Sequence, residues 1–291
     1  MKHSILTIGI LSVIFGTACT EKIDLELNEG ENNRLVVEGY FSSDTMQHSV
    51  RLTRSTSYFY NQPAPAELGA IVTISDGEGN LFVLTDDDND GIYLTDSSAF
   101  GVPGRTYTLH IKLKNGDEYE AKDEMLPTKH LDTARYEYVD EIYGVKMEEH
   151  FYEIYTTFEE RPGVPDSYLI LYYFDDSCYN ATFENEILYA RDGASVDGGG
   201  IFDDVLTIMI EEDSIPKNPT VRLDLYTISE PYCDFLIELG SETINNNSIM
   251  QGPPANMSTN IINKSGGVNG LGYFSARSRS TFTFKIDNRE D

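Results

Sequence analysis

The feature that most constrains the fold is a series of short β-rich runs separated by turn residues. In the sixth run, Tyr107, Leu109 and Ile111 alternate with polar residues, which predicts a strand with one buried and one solvated face. Seven runs so closely spaced are typical of a small sandwich, so we expect an immunoglobulin-like β-sandwich over residues 34–127. The runs are 34–41, 47–54, 70–76, 81–86, 91–96, 105–113 and 117–124.

A second set of β-rich runs follows a segment that breaks the alternation. Residues 125–134 contain a Pro and no apolar period, which indicates a domain boundary near residue 128. We therefore expect a larger β-rich domain over residues 128–291, and a fold class that is mainly all-β. Its strand runs are 134–140, 150–160, 167–175, 182–190, 204–212, 220–229 and 280–287.

One helix is predicted within this second part, near residues 230–240. Ser229 is a candidate N-cap, a Pro lies in the first turn, and Gly240 is a candidate stop. The following residues, 241–272, are rich in Asn, Gly, Ser and Pro. This segment is long for a simple connection, so it is a candidate functional loop.

The N-terminus has the composition of an export signal. An apolar run over residues 5–15 follows a cationic start and is too short to span a bilayer. Residues 16–19 (GTAC) resemble the lipobox at which bacterial lipoproteins are cleaved and lipidated. We expect residues 1–18 to be a lipoprotein signal peptide, Cys19 to carry the lipid, and residues 19–33 to be an acidic tether. An ordinary secretory signal that leaves Cys19 as a free thiol is the alternative.

The charge balance excludes one class of partner. Asp and Glu number 49 against 21 Lys and Arg, which gives a formal net charge of −28. A phosphate backbone would be repelled by this field, so we expect no nucleic-acid binding. No HExxH, Walker A or complete GxGxxG motif occurs, and the sequence assigns no catalytic residue and no cofactor apart from a calcium candidate.

Three cysteines and five histidines are present, without the spacing of a zinc site. Cys178 and Cys233 could form a disulfide in an oxidising compartment, and two separate thiols are the alternative. The spacing does not decide between them, because a bond needs Cα atoms within roughly 7 Å. Exposed strand or loop positions, rather than ligand roles, are expected for His48, His110, His130 and His150.

An acidic loop follows the fourth run. Residues 86–91 (DDDNDG) match the start of a calcium-binding loop, in which Asp86, Asp88 and Asp90 would converge on the cation and Gly91 would allow the sharp turn. The match is incomplete, because the segment lies between two strands and lacks the final Glu. A solvated hairpin tip is the alternative.

Two further segments are candidates for recognition of a ligand or partner. The loop 57–65 is aromatic, and Tyr offers flat contact area with a polar tip at low entropic cost. The segment 264–274 is glycine-rich, which allows close backbone approach. Aromatic cover of a sheet edge is the alternative for the first loop. The candidate contact residues are Tyr58, Phe59, Tyr60, Gly266, Gly267, Gly270, Gly272 and Tyr273.

Several segments, spread over nearly the whole chain after the signal, match one known family in combination. They are LVVEGYFSSD (35–44), VRLTRSTSYF (50–59), GAIVTISDGEGN (69–80), GIYLTD (91–96), PGRTYTLHI (103–111), SEPYCDFLIEL (229–239) and NIINKSGGVNGLGYFSARS (260–278). With the lipobox and the acidic stretch, they resemble the DUF4249 lipoproteins of the Bacteroidota. The resemblance implies an outer-membrane lipoprotein, often encoded near TonB-dependent receptors, with no established activity. It carries over no catalytic residue.

These observations favour a non-catalytic, lipid-anchored protein of the outer membrane, on the cell surface, that assists a TonB-dependent receptor or captures its ligand. A surface hydrolase with an unrecognised site is one alternative, and it needs a cleft with convergent carboxylates. A structural or adhesive surface lipoprotein is the other.

The anchor generates the first prediction. Cys19→Ser should leave the protein unlipidated and in the soluble fraction, because no later stretch of the sequence is apolar enough to hold it at a membrane. Fractionation in high salt tests this expectation. A variant that still sediments with membranes would contradict the lipoprotein interpretation.

Overall fold

The computed structural model describes residues 33–56, 62–142, 145–159, 166–180, 188–191, 201–245 and 257–287. The N-terminal strands are β1 (Leu35–Ser42), β2 (Ser49–Arg54), β3 (Ile71–Asp76), β4 (Leu81–Leu84), β5 (Ile92–Leu94), β6 (Arg105–Lys112) and β7 (Glu118–Met125). The later strands are β8 (Thr133–Ile142), β9 (Val145–Glu159), β10 (Ser167–Phe174), β11 (Ser177–Cys178), β12 (Leu188–Arg191), β13 (Ile201–Glu211), β14 (Thr220–Ile228), β15 (Ile262–Asn263) and β16 (Leu271–Lys285). Helix α1 (Glu230–Asn245) lies between β14 and β15.

These strands form three sheets. An eight-stranded sheet has the order β11-β10-β14-β16-β1-β2-β5, with β12 also paired to β10. A five-stranded sheet has the order β15-β7-β6-β3-β4, and a three-stranded sheet the order β13-β9-β8. The prediction of a mainly β fold built from sandwich-like sheets is therefore confirmed.

The first core lies between the five-stranded sheet and the β1, β2 and β5 part of the large sheet. Its centre is aromatic, with the Phe41 ring 4.8 Å from that of Phe82 and 4.9 Å from that of Tyr107. The alternation of Tyr107, Leu109 and Ile111 places all three in this core, as the sequence predicts. Each such side chain contributes about 1.5–3 kcal/mol when fully buried.

The second core lies between the three-stranded sheet and the β10 and β14 part of the large sheet. Strand β10 is apolar on both faces: Tyr168, Ile170 and Tyr172 enter this core, whereas Leu169 packs on the opposite face against α1. A strand covered on both faces is a continuous apolar run rather than an alternating one. Among the described residues, no helix is long and apolar enough to cross a membrane.

Strand β16 is shared by the two sandwiches. Its first half pairs parallel with β1, from Leu271 opposite Val36 to Arg277 opposite Ser42. Its second half pairs antiparallel with β14, from Ser278 to Lys285. The strand is therefore 15 residues long and starts well before residue 280, where the alternating pattern begins.

This sharing corrects the predicted division of the chain at residue 128. The change of core does fall there, because Met125 belongs to the first core and Leu131 to the second. However, Ile261, Phe274 and Ala276 return to the first core, so residues 128–291 do not form a separate sequential domain. Strand β15 and the first half of β16 also belong to the first sandwich.

Helix α1 begins where the sequence predicts. The Ser229 hydroxyl accepts a hydrogen bond from the Tyr232 amide at 3.4 Å, as an N-cap does. The predicted stop at Gly240 is wrong, because the helix continues to Asn245. Gly240 is buried inside the helix and does not form a left-handed cap.

Buried Asp123 of β7 fastens the five-stranded sheet to β16. One carboxylate oxygen accepts a hydrogen bond from the Ala276 amide at 2.8 Å. Burial raises the pKa of Asp123 to about 6, although hydrogen bonds from Ser229 and Ala276 oppose this shift. The cost of burying this carboxylate is offset by tying strands from two sheets together.

The close pairing of β16 with β1 generates the second prediction. Gly272 has φ +80°, and a Cβ there would lie 2.1 Å from the Val37 carbonyl oxygen. Gly272→Ala should therefore lower the free energy of unfolding by about 3 kcal/mol, from a left-handed backbone and a steric clash. Urea unfolding measures the loss.

Gly266 provides the matched control, because its φ is +90° but nothing lies within 4 Å of an added Cβ. Gly266→Ala should cost only about 1–2 kcal/mol, from the backbone conformation alone. Equal losses in the two variants would contradict a specific role for Gly272 in the β1–β16 contact.

Candidate functional site

The structure separates the glycine-rich segment into a buried and an exposed part. A Cβ on Gly270 would lie 2.5 Å from Ile261 Cγ2, and Gly272 contacts the β1 backbone. These two glycines therefore allow β16 to pack inside the protein, and their predicted role in partner contact is wrong. Gly266 and Gly267 are exposed in the loop between β15 and β16 and remain candidates.

Tyr273 also differs from the prediction. It is buried, and its ring lies 5.2 Å from those of both Tyr232 and Phe235 on α1. Burial raises the pKa of its hydroxyl. Tyr273 joins the helix to β16 and is not available to a partner.

The two predicted recognition loops emerge at the same end of the first sandwich. Strand β2 is antiparallel to β1 and ends with Arg54 opposite Leu35, so the loop after it leaves at the beginning of β1. Strand β16 is parallel to β1, so the loop before it arrives at the same place. We name this surface the Arg34 end and define it as residues 33–34, 55–56, 62–66 and 262–270. Tyr58, Phe59 and Tyr60 lie outside the described residues.

Arg34 connects these segments. Its guanidinium donates hydrogen bonds to the Asn269 carbonyl at 2.8 Å and the Gly270 carbonyl at 3.2 Å. Its backbone amide donates to the Ser55 hydroxyl at 2.9 Å, and Arg54 donates to the Asn33 carbonyl at 3.0 Å. The start of β1 is thus held against both loops by side chains that the sequence analysis did not single out.

The loop between β15 and β16 presents an apolar residue on a polar support. Val268 is 62% exposed. The Ser265 hydroxyl accepts a hydrogen bond from the Glu118 amide at 2.9 Å, and Lys264 lies 3.7 Å from Glu120. The exposed valine is therefore carried by a loop that is fixed to β7 at its base.

The acidic loop is built around Asp86. One Asp86 carboxylate oxygen accepts a hydrogen bond from the Asp90 amide at 3.1 Å, and the other accepts one from the Gly91 amide at 3.2 Å. Gly91 has φ +83°, as the sharp turn requires. Asp86 thus stabilises the turn, in which each carboxylate oxygen already has a backbone donor.

The neighbouring carboxylates line a cavity of about 340 Å³. Asp87, Asp88 and Asp90 border it together with apolar Ile92 and Leu94. The structure therefore places Asp87 in the wall, where the sequence pattern predicts Asp86. Among the residues that the structure describes, no group of three or more His, Cys, Asp or Glu side chains is arranged to hold a metal ion.

A charged junction that the sequence analysis missed lies where β16 changes partner. The Arg277 guanidinium is buried between two rings, 3.7 Å from the centre of Tyr40 and 4.1 Å from that of Tyr226. Arg279 donates hydrogen bonds to Asp44 at 2.8 Å and to buried Asp224 at 3.0 Å. The alternating arginines in the sequence SARSRS were the available signal for this junction.

The histidines follow the expectation with one exception. His48 is fully buried, with Nε2 3.3 Å from the Ala99 carbonyl oxygen and its ring 4.6 Å from that of Phe41. Burial lowers its pKa, so the side chain is neutral at physiological pH. The expected exposed position is therefore wrong for His48 and confirmed for His110, His130 and His150.

Cys178 and Cys233 are not joined by a disulfide in this structure. Cys178 is half-buried on β11, and Cys233 is buried where α1 packs on the large sheet. The structure thus agrees with the alternative of two separate thiols rather than with a disulfide. Cys19 lies outside the described residues.

Comparisons with known proteins point to one family. Residues 20–283 match the family model described as "Domain of unknown function (DUF4249)". No curated protein matches the chain.

Two similar solved structures are chicken fibronectin type-III segments. The FN1-FN3 domains of chicken CNTN1 are 14% identical with a TM-score of 0.25, over 68% of this chain and 61% of that one. A two-domain segment from chicken tenascin is 8% identical with a TM-score of 0.22, over 67% of this chain and 90% of that one. The chain thus spans less than two thirds of the CNTN1 segment.

Calcium binding at the acidic loop stays a prediction, and the cavity between the aspartates is where the ion would bind. If a cation binds between these carboxylates, millimolar calcium should raise the melting temperature, because a ligand that binds only the folded state stabilises it. Asp88→Asn should cancel the rise, whereas Asp117→Asn, in the connection between β6 and β7, should not. Equal melting curves with calcium and with a chelator would leave a plain hairpin tip.

Proposed function

The chain belongs to the DUF4249 family, and from this premise we propose that it is a non-catalytic accessory of an outer-membrane receptor, tethered through a lipid on Cys19. The proposed partner is a TonB-dependent receptor, and the proposed contact surface is the Arg34 end. The protein would hold the receptor or present a ligand to it, without chemistry of its own.

One observation supports this proposal: the described residues that lead into both candidate recognition loops lie beside the first residues of the folded body. Arg34 contacts Ser55 on one side and Asn269 on the other. The tether joins the body at this same place, because Asn33 and Arg34 immediately precede β1. The Arg34 end is therefore the part of the body nearest to the point of attachment along the chain.

The length of the tether sets how far this end can be from a membrane. Residues 19–33 span at most about 50 Å when fully extended, at roughly 3.3–3.6 Å per residue. A partner that is itself embedded in the membrane stays within that reach. The anchor also raises the effective concentration of the contact, so a weak interface suffices to keep the two proteins associated.

The chemistry of the Arg34 end suits a protein contact. Val268 offers an exposed apolar side chain, and Gly266 and Gly267 leave the loop backbone accessible. The hydrogen bonds from Arg34 hold this loop in place before binding, which lowers the entropy lost on association. An ordered apolar tip surrounded by polar groups matches the apolar centre and polar rim of a protein interface.

Co-purification with the receptor from detergent-solubilised outer membrane tests the proposal. Val268→Glu and deletion of residues 58–62 should each reduce the amount of receptor recovered, by about tenfold for a lost anchor worth roughly 1.4 kcal/mol. A surface substitution such as Val268→Glu changes the free energy of unfolding by only about 0.5 kcal/mol, so its fold should be intact. The melting curve of the deletion variant checks that its fold is intact as well.

Met209→Glu is the matched control, since Met209 is 45% exposed on β13, away from the Arg34 end. It should leave the recovery of the receptor unchanged. Recovery of no receptor by the unaltered protein would favour an adhesive role. Release of products from a glycan or peptide panel would favour a hydrolase.

A further inference from the structure

Strand β4 is an edge strand without the usual protection. It ends the five-stranded sheet and pairs only with β3 among the described strands. Its sequence LFVL contains no charge, no Pro and no Gly, although natural edges are commonly protected by such residues. An edge of this kind is able to accept another strand.

The hydrogen-bond alternation shows which residues of β4 are open. The Asp76 amide donates to the Asn80 carbonyl at 3.2 Å, which makes this a hydrogen-bonded pair. Alternation along an antiparallel ladder then directs the backbone groups of Phe82 and Leu84 toward β3. Those of Leu81 and Val83 point toward the free edge.

The same two residues also expose their side chains. Leu81 is 62% exposed and Val83 is 58% exposed, while Ile71 on the adjacent strand β3 is 63% exposed. Thr73 lies opposite Val83, so the three apolar side chains share the outer face of the sheet. Open backbone groups and an apolar face thus coincide at one place.

The edge is closed at its far end by β5. Thr85 and Leu94 exchange backbone hydrogen bonds at 3.0 and 2.8 Å. A strand added to β4 would therefore run beside Leu81 and Val83 and then meet this barrier. The acidic cavity lies at the barrier, because Thr85 and Leu94 line it together with Asp87, Asp88 and Asp90.

We propose that the free edge of β4 and the acidic cavity together form a docking site for an extended, basic segment of a partner protein. The segment would add to the sheet beside Leu81 and Val83, by backbone hydrogen bonds and apolar contacts. A Lys or Arg at its end would enter the cavity between the aspartates.

Charge decides in favour of a basic partner rather than a second copy. Glu78 precedes β4 and the acidic loop follows it, so both ends of the edge are negative. The chain carries a formal charge of −28, so two edges of the same kind would repel each other. The proposal does not depend on the receptor contact at the Arg34 end, which uses other residues.

Titration with synthetic peptides tests the proposal on the full folded chain. The probes are nine-residue peptides in which Val and Thr alternate and a single Lys or Arg occupies either the first or the last position. Their binding is measured by fluorescence anisotropy in the presence of a chelator. At least one basic peptide should bind, and replacing its terminal Lys or Arg by Glu should weaken binding at least tenfold. Binding should also weaken as the salt concentration rises.

Two variants of the edge and one of the cavity locate the site. Val83→Pro removes a donor that faces the free edge without breaking the β3 ladder, and Val83→Lys keeps the backbone and adds a repelling charge. Each should weaken binding at least tenfold, and so should Asp88→Asn combined with Asp87→Asn. Met209→Lys, at an exposed apolar residue of β13, should bind like the unaltered protein.

Three results would overturn the proposal. The first is that none of the basic peptides binds. The second is that both Val83 variants, shown to be folded by their melting curves, bind as the unaltered protein does. The third is that the protein sediments as a dimer which Val83→Pro converts to a monomer, because the occupant of the edge would then be a second copy.

Discussion

The fold depends on one strand having two partners. The first half of β16 completes the ladder of β1, and its second half completes the ladder of β14, so both sandwiches share a single stretch of backbone. The change of partner occurs at Arg277 and Ser278, in the interior, where polar groups need compensation. Arg277 finds two aromatic faces, and Arg279 joins Asp44 of the first sandwich to Asp224 of the second. The charged junction therefore ties the two halves of the large sheet together.

This topology also determines where the candidate contact surface lies. Two parallel strands must begin at the same end of a sheet, so the parallel pairing of β1 with β16 brings the loop at 262–270 to the start of the chain's folded body. The antiparallel strand β2 returns to the same place at Arg54. The Arg34 end is thus a consequence of strand order rather than of any local motif. In the function that we propose, a tethered binder gains from this arrangement, because the surface and the attachment point coincide.

The sequence predicts the parts of the fold that rest on local patterns. Alternating runs identify most strands of the first sandwich, and the Ser229 cap identifies the start of α1. It does not predict β16, because residues 273–278 are buried on both faces and include Ser and Arg, so no period of two is visible. Nor does it show whether a residue such as Tyr273 or His48 faces solvent, since that depends on the elements packed over it. The sequence identifies the acidic loop, but it does not reveal that Asp87 rather than Asp86 lines the cavity. Asp86 is held in the turn by backbone hydrogen bonds, which the spacing does not show.

The two edges of the five-stranded sheet differ in how well they are protected against the addition of another strand. On one edge, β15 is only two residues long, and Lys264 beside it pairs with Glu120. A short edge flanked by charge discourages the addition of another strand. On the other edge, β4 carries its charges only beyond its ends, in Glu78 and the acidic loop, and keeps its centre apolar. Negative charge at both ends prevents pairing with an identical edge and leaves a basic strand unopposed, so selectivity here comes from what surrounds the open backbone groups rather than from the groups themselves.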